Sequence, residues 1–326
     1  MTTERAKSKH HVDSSSATAE TLLPFSLAKT SLGYKVCFSA MASLCEILIN
    51  SDDDVVVKQL AHAIIDETRR IEQKYSRYRS DSVLTHINQQ AGHETVIDDE
   101  TKRLFAFAKQ CYQLSNGLFD ISAGILRKAW QFDGSDQLPA DKDIEPLLAH
   151  IGLDKLQVRA DRMWMPASME LDLGGLGKEY AVDRAMLIAE SLMSDLNTAL
   201  PAILINFGGD MLANKAPLNA RNERQAWQVG LQHPDKKQNS VHTVSLNTGA
   251  IASSGDANRY LLKDGVRYAH ILNPKTGKAI VNAPRSVTIT APNCVQAGFI
   301  ATWSMCQGEH AATFLKELDV GHWLIY

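Results

Sequence analysis

Met169-Glu170-Leu171-Asp172-Leu173 is an apolar segment that runs into Gly174-Gly175-Leu176-Gly177 and then into Lys178-Glu179-Tyr180-Ala181-Val182-Asp183-Arg184-Ala185. The pattern predicts a strand, a glycine-rich turn and a helix. Glycines at 174, 175 and 177 let backbone N–H groups approach an anion closely, and the helix that follows directs the positive end of its dipole to the same place. Such a segment would cradle a phosphate; a tight strand-to-helix turn without a ligand reads equally well from these residues alone. It is neither a GxxxxGK[ST] loop nor a GxGxxG fingerprint, so the generic nucleotide-binding folds are not indicated.

Other residues of chemical use fall in short runs. Phe119-Asp120-Ile121-Ser122 sets a carboxylate beside a hydroxyl, although an aspartate there is more simply a helix N-cap. Asn206-Phe207-Gly208-Gly209-Asp210 ends an apolar strand on paired glycines, where backbone can meet a ligand or merely turn. Ser253-Ser254-Gly255-Asp256 with Arg259-Tyr260 gathers hydroxyls, a carboxylate and an arginine, which could orient a phosphate or form a solvated hairpin loop. His270 is expected on a short strand ahead of Asn273-Pro274, where a lone histidine is more often structural than catalytic. Arg77 and Tyr78 follow a helix and read as surface residues or ligand contacts. No nucleophile elbow, HExxH or Cys/His zinc spacing is present, which leaves hydrolase and zinc chemistry without support.

The elements that must position these runs mix strands and helices without strict alternation. That predicts an α+β class, a single domain with mixed sheets flanked by helices. Leu60, Ile64, Ile65 and Ile71 recur in helical phase and predict a helix over 55–75. A second helix over 99–114 is stopped by Ser115-Asn116-Gly117, a third covers 178–196, and 295–306 reads as the final apolar helix. Strands are expected at 45–49, 202–206, 227–231, 240–248, 268–272 and 286–290. Residues 1–30 are polar and read as a flexible tail, with 31–326 as the folded domain. The five cysteines form no CxxC pair and read as reduced, buried thiols. A formal charge of −3 with 22% charged residues offers no basic field to nucleic acid or an anionic bilayer. No run is apolar for long enough to span a membrane, and no signal peptide or lipobox is seen, so cytoplasmic residence is expected.

Six of these runs, in order, resemble the motifs of the FAD:protein FMN transferase (ApbE-type) family. Arg77-Tyr78-Arg79-Ser80-Asp81-Ser82 resembles the family's RYRPDSE, and Asn116-Gly117-Leu118-Phe119-Asp120 resembles GGAFDPT. Leu171 to Lys178 is similar to LDLGGIAKG, and Ile205 to Asp210 to NIGGD. Ser254-Gly255-Asp256 with Arg259-Tyr260 resembles SGDYxRY, and His270 to Gly277 resembles HHILDPxTG. The resemblance implies an enzyme that binds FAD, places Mg²⁺ at its pyrophosphate and transfers FMN to a threonine of an acceptor protein carrying a flavinylation motif, with release of AMP. It implies that Gly174, Gly175, Ser254 and Asp256 contact FAD. Met41, Tyr78, Phe119 and Asp120 would line its pocket, Lys178 would lend positive charge, and His270 would accept the target proton. The metal would be held by the backbone at Gly177 and by Thr302.

Four positions depart from that pattern. Gly298 stands where the family has the metal-binding aspartate, and Glu179 replaces a glycine after the lysine. Ala269 replaces the first of two histidines, and Asn273 replaces the aspartate of the turn. Mg²⁺ is ordinarily anchored by one or two carboxylates together with substrate phosphates. Glu179 either substitutes for the lost ligand or repels the pyrophosphate, Asp256 or Asp210 could rotate in, and Gly298→Asp is expected to tighten Mg²⁺ binding. Beside the transferase, a weakened paralogue kept as a flavin-binding module and an FAD pyrophosphatase stay open.

Overall fold

The computed structural model describes residues 25–235, 240–257 and 259–326. Residues 1–24, on which most of the tail and export readings rest, and Asn258 lie outside the described residues. The first half contains β1 (Ser26–Thr30), β2 (Gly33–Ala40), β3 (Ser43–Asn50), α1 (Asp54–Tyr75), α2 (Val83–Gln89), β4 (Thr95–Val96), α3 (Asp99–Leu114), a 3-10 helix (Ile121–Lys128), α4 (Asp141–Leu148), β5 (Gln157–Arg159) and β6 (Arg162–Trp164). The second half contains α5 (Gly177–Asp195), β7 (Ala202–Phe207), β8 (Asp210–Ala213), β9 (Trp227–Gln232), β10 (Ser240–Leu246), β11 (Gly249–Gly255), β12 (Tyr260–Lys263), β13 (Val266–Ala269), β14 (Ser286–Ala291), α6 (Cys294–Met305), α7 (Ala311–Leu318) and β15 (His322–Ile325).

Eight strands form one sheet in the order β1-β2-β3-β7-β8-β11-β14-β15. The α+β class holds. Every described strand pair is antiparallel. Even the long excursion from β3 through α1, α3 and α5 returns to β7 in the opposite direction, so no parallel crossover forms.

Strand β7 shows how the layers are built. Ile203, Ile205 and Phe207 join the core beneath α1, α5 and α6, while Ala202 and Leu204 join a second cluster with Trp227, Val229 and Val244 of the β9–β10 hairpin. With side chains alternating between two covered faces, the strand reads as an almost unbroken apolar run. A third small cluster (Leu126, Trp130, Ile144 and Leu261) lies beside the 3-10 helix. Among the described residues no helix is long and apolar enough to cross a membrane, and all five cysteines are free.

The helices α1, α3 and α5 are where the sequence pattern placed them. Asp53 caps α1, its Oδ1 accepting from the Val55 and Val56 N–H groups. Asp98 caps α3, and Asn116 and Gly117 take positive φ after it, as the stop signal required. Three expectations are corrected. Strand β1 starts inside the stretch read as tail, because its residues are mostly exposed and carry no apolar period. Helix α6 is followed by α7 and β15, the latter completing the sheet beside β14. Strand β13 ends at Ala269, so His270 lies just beyond it.

A charged cluster fixes α1, α3 and α5 to one another. Arg70 bonds Glu67 at 2.7 Å and Glu100 at 2.6 Å, and Lys74 bonds Asp98 at 2.5 Å and Glu100 at 2.6 Å. Arg184 of α5 reaches Glu67 at 3.0 Å, and the Tyr180 hydroxyl donates to Glu100 at 2.9 Å. Burial alone would raise the Glu100 pKa, but Arg70, Lys74 and Tyr180 overrule it and hold it at about 2, against 4.5 ordinarily. A depressed carboxylate stabilises the fold above its unfolded value, and that stability is lost as pH falls through the folded one. Glu100→Gln should therefore lower the urea midpoint at neutral pH and make its decline between pH 4.5 and 2 shallower; an unchanged acid limb would contradict this.

Candidate active site

The segment before the glycines forms no strand, contrary to expectation. Asn88 of α2 takes the place of a neighbouring strand: the Leu171 N–H donates to its Oδ1 at 2.8 Å, and its Nδ2 donates to the Leu171 carbonyl at 2.9 Å. The Asp172 N–H donates to the Ile121 carbonyl at 2.8 Å. The Asp172 carboxylate accepts from the Gly174 N–H at 2.9 Å and from the Arg77 guanidinium.

Helix α5 then begins with Leu176 at its N-cap and no side-chain cap, whereas Asp53, Asp98 and Asn293 cap α1, α3 and α6. None of Gly174, Gly175 and Gly177 has positive φ. Their use is room, since a Cβ placed on Gly175 would meet no atom within 4 Å. The Gly174 N–H is taken by Asp172, and the Leu176 and Gly177 N–H groups by the Leu173 carbonyl, which leaves those of Gly175 and Lys178 at this uncapped start, beside open space, for an anion.

Around this turn stand the chain's paired charges. Lys178 Nζ lies 2.7 Å from Asp210 Oδ2, and the Asp210 side chain is almost completely buried. Burial opposes the charge on Lys178, but Asp210 and Glu179 raise its pKa, so the ammonium persists. Met41 and Ala42 form the two-residue turn between β2 and β3 with φ of 52° and 55°, left-handed at both positions without the glycine or asparagine usual there. The Met41 N–H donates to Glu72 Oε1 at 2.6 Å, and Met41 Cε comes 3.9 Å from the Cβ position of Gly177. A concavity of about 430 Å³ opens against this turn, lined by Ser39, Ala40, Ala42, Ser43, Leu44 and Glu72.

Glu179 is 8% exposed, and its Oε2 is buried without a hydrogen-bond partner. Burial first, then Asp210, push its pKa well above the ordinary carboxylate range, with Lys178 pulling the other way. A Cβ on Gly298 of α6 would lie 2.6 Å from Glu179 Cγ and 2.8 Å from Oε1. Glu179 thus fills the space a side chain at 298 would need, and Gly298→Asp alone would collide with it rather than simply restore a ligand. One helical turn further along α6, the Thr302 hydroxyl donates to Ser254 Oγ at 3.4 Å. Among the described residues no three His, Cys, Asp or Glu side chains converge as a metal group. An orphaned carboxylate oxygen over Gly298 and a threonine hydroxyl one helical turn along α6 are nevertheless hard-oxygen donors of the kind Mg²⁺ uses when substrate phosphates complete its shell.

The remaining expected residues have other neighbours. Tyr78 is 78% exposed, and its hydroxyl accepts from Arg77 at 2.6 Å, which ties it to Asp172 and the turn. Asp120 caps the 3-10 helix through the Ser122 N–H at 2.8 Å, and its other oxygen accepts from the Leu153 N–H. Phe119 is buried edge-on to Phe299. Asp256 is held by Arg267 at 2.6 Å and Arg285 at 2.7 Å, one on each oxygen, so it is not free to rotate toward a cation. His270 stands edge-on to Phe132, and its Nδ1 is buried and unpartnered. Burial, then Arg259, lower its pKa, so the imidazole is neutral at pH 7. The Asn273 side chain accepts from the Lys275 N–H at 2.9 Å, a turn contact that asparagine makes as well as aspartate.

Two positioning residues escaped the sequence reading. Asn88 is one. The other is Asp183, which accepts from the Cys294 and Val295 N–H groups at 2.7 and 3.0 Å and so fastens the start of α6 to α5. Its place in the Tyr180-Ala181-Val182-Asp183 run was visible, but its partners are remote in the chain.

Fold and site together define an α+β protein with an open, uncapped helix start beside a partly buried lysine. The ApbE family model matches residues 41–322, and the chain belongs to that family. It is 28% identical over 256 residues to the FAD:protein FMN transferase of Vibrio cholerae, covering 76% of this chain and 73% of that protein. It is 27% identical over 301 residues to the FAD:protein FMN transferase of Treponema pallidum, covering 85% and 80%. The crystal structure of the ApbE protein from Thermotoga maritima superposes with a TM-score of 0.78 at 27% identity, covering 89% of this chain and 93% of that one.

Removing one member of a buried ion pair leaves the other charged and unsolvated. Lys178→Met should accordingly cost about 3 kcal/mol of stability, and adding Asp210→Asn should return part of it. Equal denaturation midpoints for Lys178→Met and the parent would show that Asp210 needs no cation.

Proposed function

We propose that this chain is an FAD:protein FMN transferase, with 31–326 as its transferase-like domain, acting on a threonine of an acceptor protein and using Mg²⁺. The observation that carries this reading is the uncapped start of α5 beside the open Gly175, with Lys178 held charged next to it. Membership of the ApbE family and the names of the Vibrio and Treponema relatives support it.

The FAD diphosphate rests on the glycine turn, where the Gly175 N–H and Lys178 meet its charge while Asp172 holds the Gly174 N–H in place. The acceptor threonine oxygen bonds to the phosphorus on the FMN side, and the P–O bond to AMP breaks, AMP leaving with the bonding pair. The hydroxyl proton passes to His270, which burial holds neutral and thus able to accept it. When bound, Mg²⁺ would neutralise charge on the diphosphate, held by Thr302 and the backbone at Gly177 together with a carboxylate. The chain's own contribution is mostly positioning and charge placement, as phosphoryl transfer requires.

Calorimetric titration of the flavin-free protein with FAD, with and without Mg²⁺, followed by chromatography for AMP with an acceptor peptide, tests this directly. Expected are Mg²⁺-dependent binding, AMP and flavinylated peptide; binding that ignores Mg²⁺ and yields no AMP would mark a flavin-binding module, and AMP with free FMN a pyrophosphatase. His270→Ala should leave FAD affinity nearly intact and slow transfer by about two to four orders of magnitude. Because its pKa is depressed, the acid limb of the parent's transfer rate should lie below pH 6.5. Gly175→Val, whose Cβ would meet no protein atom within 4 Å, should leave stability within about 0.5 kcal/mol yet weaken FAD binding at least roughly tenfold; unchanged affinity would make the turn a tight connection only.

A further inference from the structure

We infer that Glu179 is the metal-anchoring carboxylate of this chain, delivered from α5 across the helix interface, and that Gly298 is the gap its side chain requires. The inference rests on the transferase reading, and it concerns which residue takes the cation. Three observations carry it. Glu179 is nine-tenths buried with Oε2 making no hydrogen bond, although the neighbouring carboxylates are engaged: buried Asp210 by Lys178, half-buried Asp183 by the start of α6. A buried carboxylate oxygen without a partner is unfavourable, and a bound cation would supply that partner. The side chain lies over Gly298, where any Cβ would come within 2.6 Å of its Cγ, so positions 179 and 298 cannot both carry a carboxylate in this packing. Thr302 stands one turn beyond Gly298 on α6, with only a long 3.4 Å bond to Ser254 occupying its hydroxyl.

Glycine at 298 is therefore not the mark of a lost site. The carboxylate has moved to the facing helix, and the glycine makes room for it. Glu179 follows Lys178 directly, so the cation and the lysine would address the same diphosphate from neighbouring residues.

The test is Mn²⁺ binding, read from the loss of the free-ion electron paramagnetic resonance signal, with and without saturating FAD. It compares the purified parent with Glu179→Gln, Gly298→Asp and the double variant Glu179→Gly with Gly298→Asp. Thermal unfolding of each variant is followed in parallel. The parent should bind one Mn²⁺. Glu179→Gln, which keeps the side chain's shape, should bind it at least about tenfold more weakly and melt no lower than the parent in metal-free buffer. Gly298→Asp alone should not tighten binding, and the double variant should return it to within a few-fold of the parent. Parent-like affinity in Glu179→Gln, tighter binding in Gly298→Asp alone, or no Mn²⁺ bound by the parent in either condition would overturn the inference. The two readings fail separately. Glu179-dependent Mn²⁺ binding without AMP release would retire the transferase and keep the metal residue, whereas equal AMP release by parent and Glu179→Gln would do the reverse.

Discussion

Helix α5 begins without a side chain to cap it, and most of the surrounding structure follows from holding that bare end in place. Free N–H groups at a helix start carry partial positive charge and need a partner. Here the flanking elements leave the space open. Asn88 and Ile121 fix the backbone that leads into the turn, Glu67 and Glu100 hold the body of the helix through Arg184 and Tyr180, and Asp183 ties α6 to it. The long crossover from β3 to β7 thereby delivers α5 onto the sheet with its N-terminus beside the β7–β8 turn, where Asp210 meets Lys178.

The site's electrostatics are those of several acids crowded out of water. Buried Asp210 and Glu179 and half-buried Asp183 stand close together, and each has its pKa raised by desolvation. Two of them are satisfied by a lysine and by helix N–H groups. Glu179 retains an oxygen without a partner, which distinguishes it from its neighbours. Departures from the family pattern that look damaging one at a time are, in the packed molecule, a single exchange between facing helices, since Glu179 occupies the volume above Gly298. The change at Asn273 is quieter, because the side-chain oxygen of that turn serves only a backbone N–H.

Much of this was legible in the chain. Helices α1, α3 and α5 show in the apolar period and in Asp53, Asp98 and the Asn116-Gly117 stop, because these are signals between residues a turn or less apart. The glycine turn, Lys178 and the family motifs were equally visible. Other features were not. Met169 to Leu173 has the alternation of a strand, yet Asn88, far away in sequence, supplies the hydrogen bonds a neighbouring strand would have made. Strand β1 was hidden because an exposed edge carries no apolar pattern, and Asp256 looked available because the two arginines that occupy it are distant in the chain.

The sequence by itself determined helices α1, α3 and α5 with their caps and breaks, the membership of a motif series and the residue types at the glycine turn, since each depends on local backbone geometry or on order along the chain. Only the tertiary structure decided what the buried charges do. Whether a carboxylate braces a helix, pairs with a lysine or stands unpartnered depends on which side chains arrive from other elements and on the volume left between them. The contact between Glu179 and Gly298 exists only once α5 and α6 pack on the same sheet.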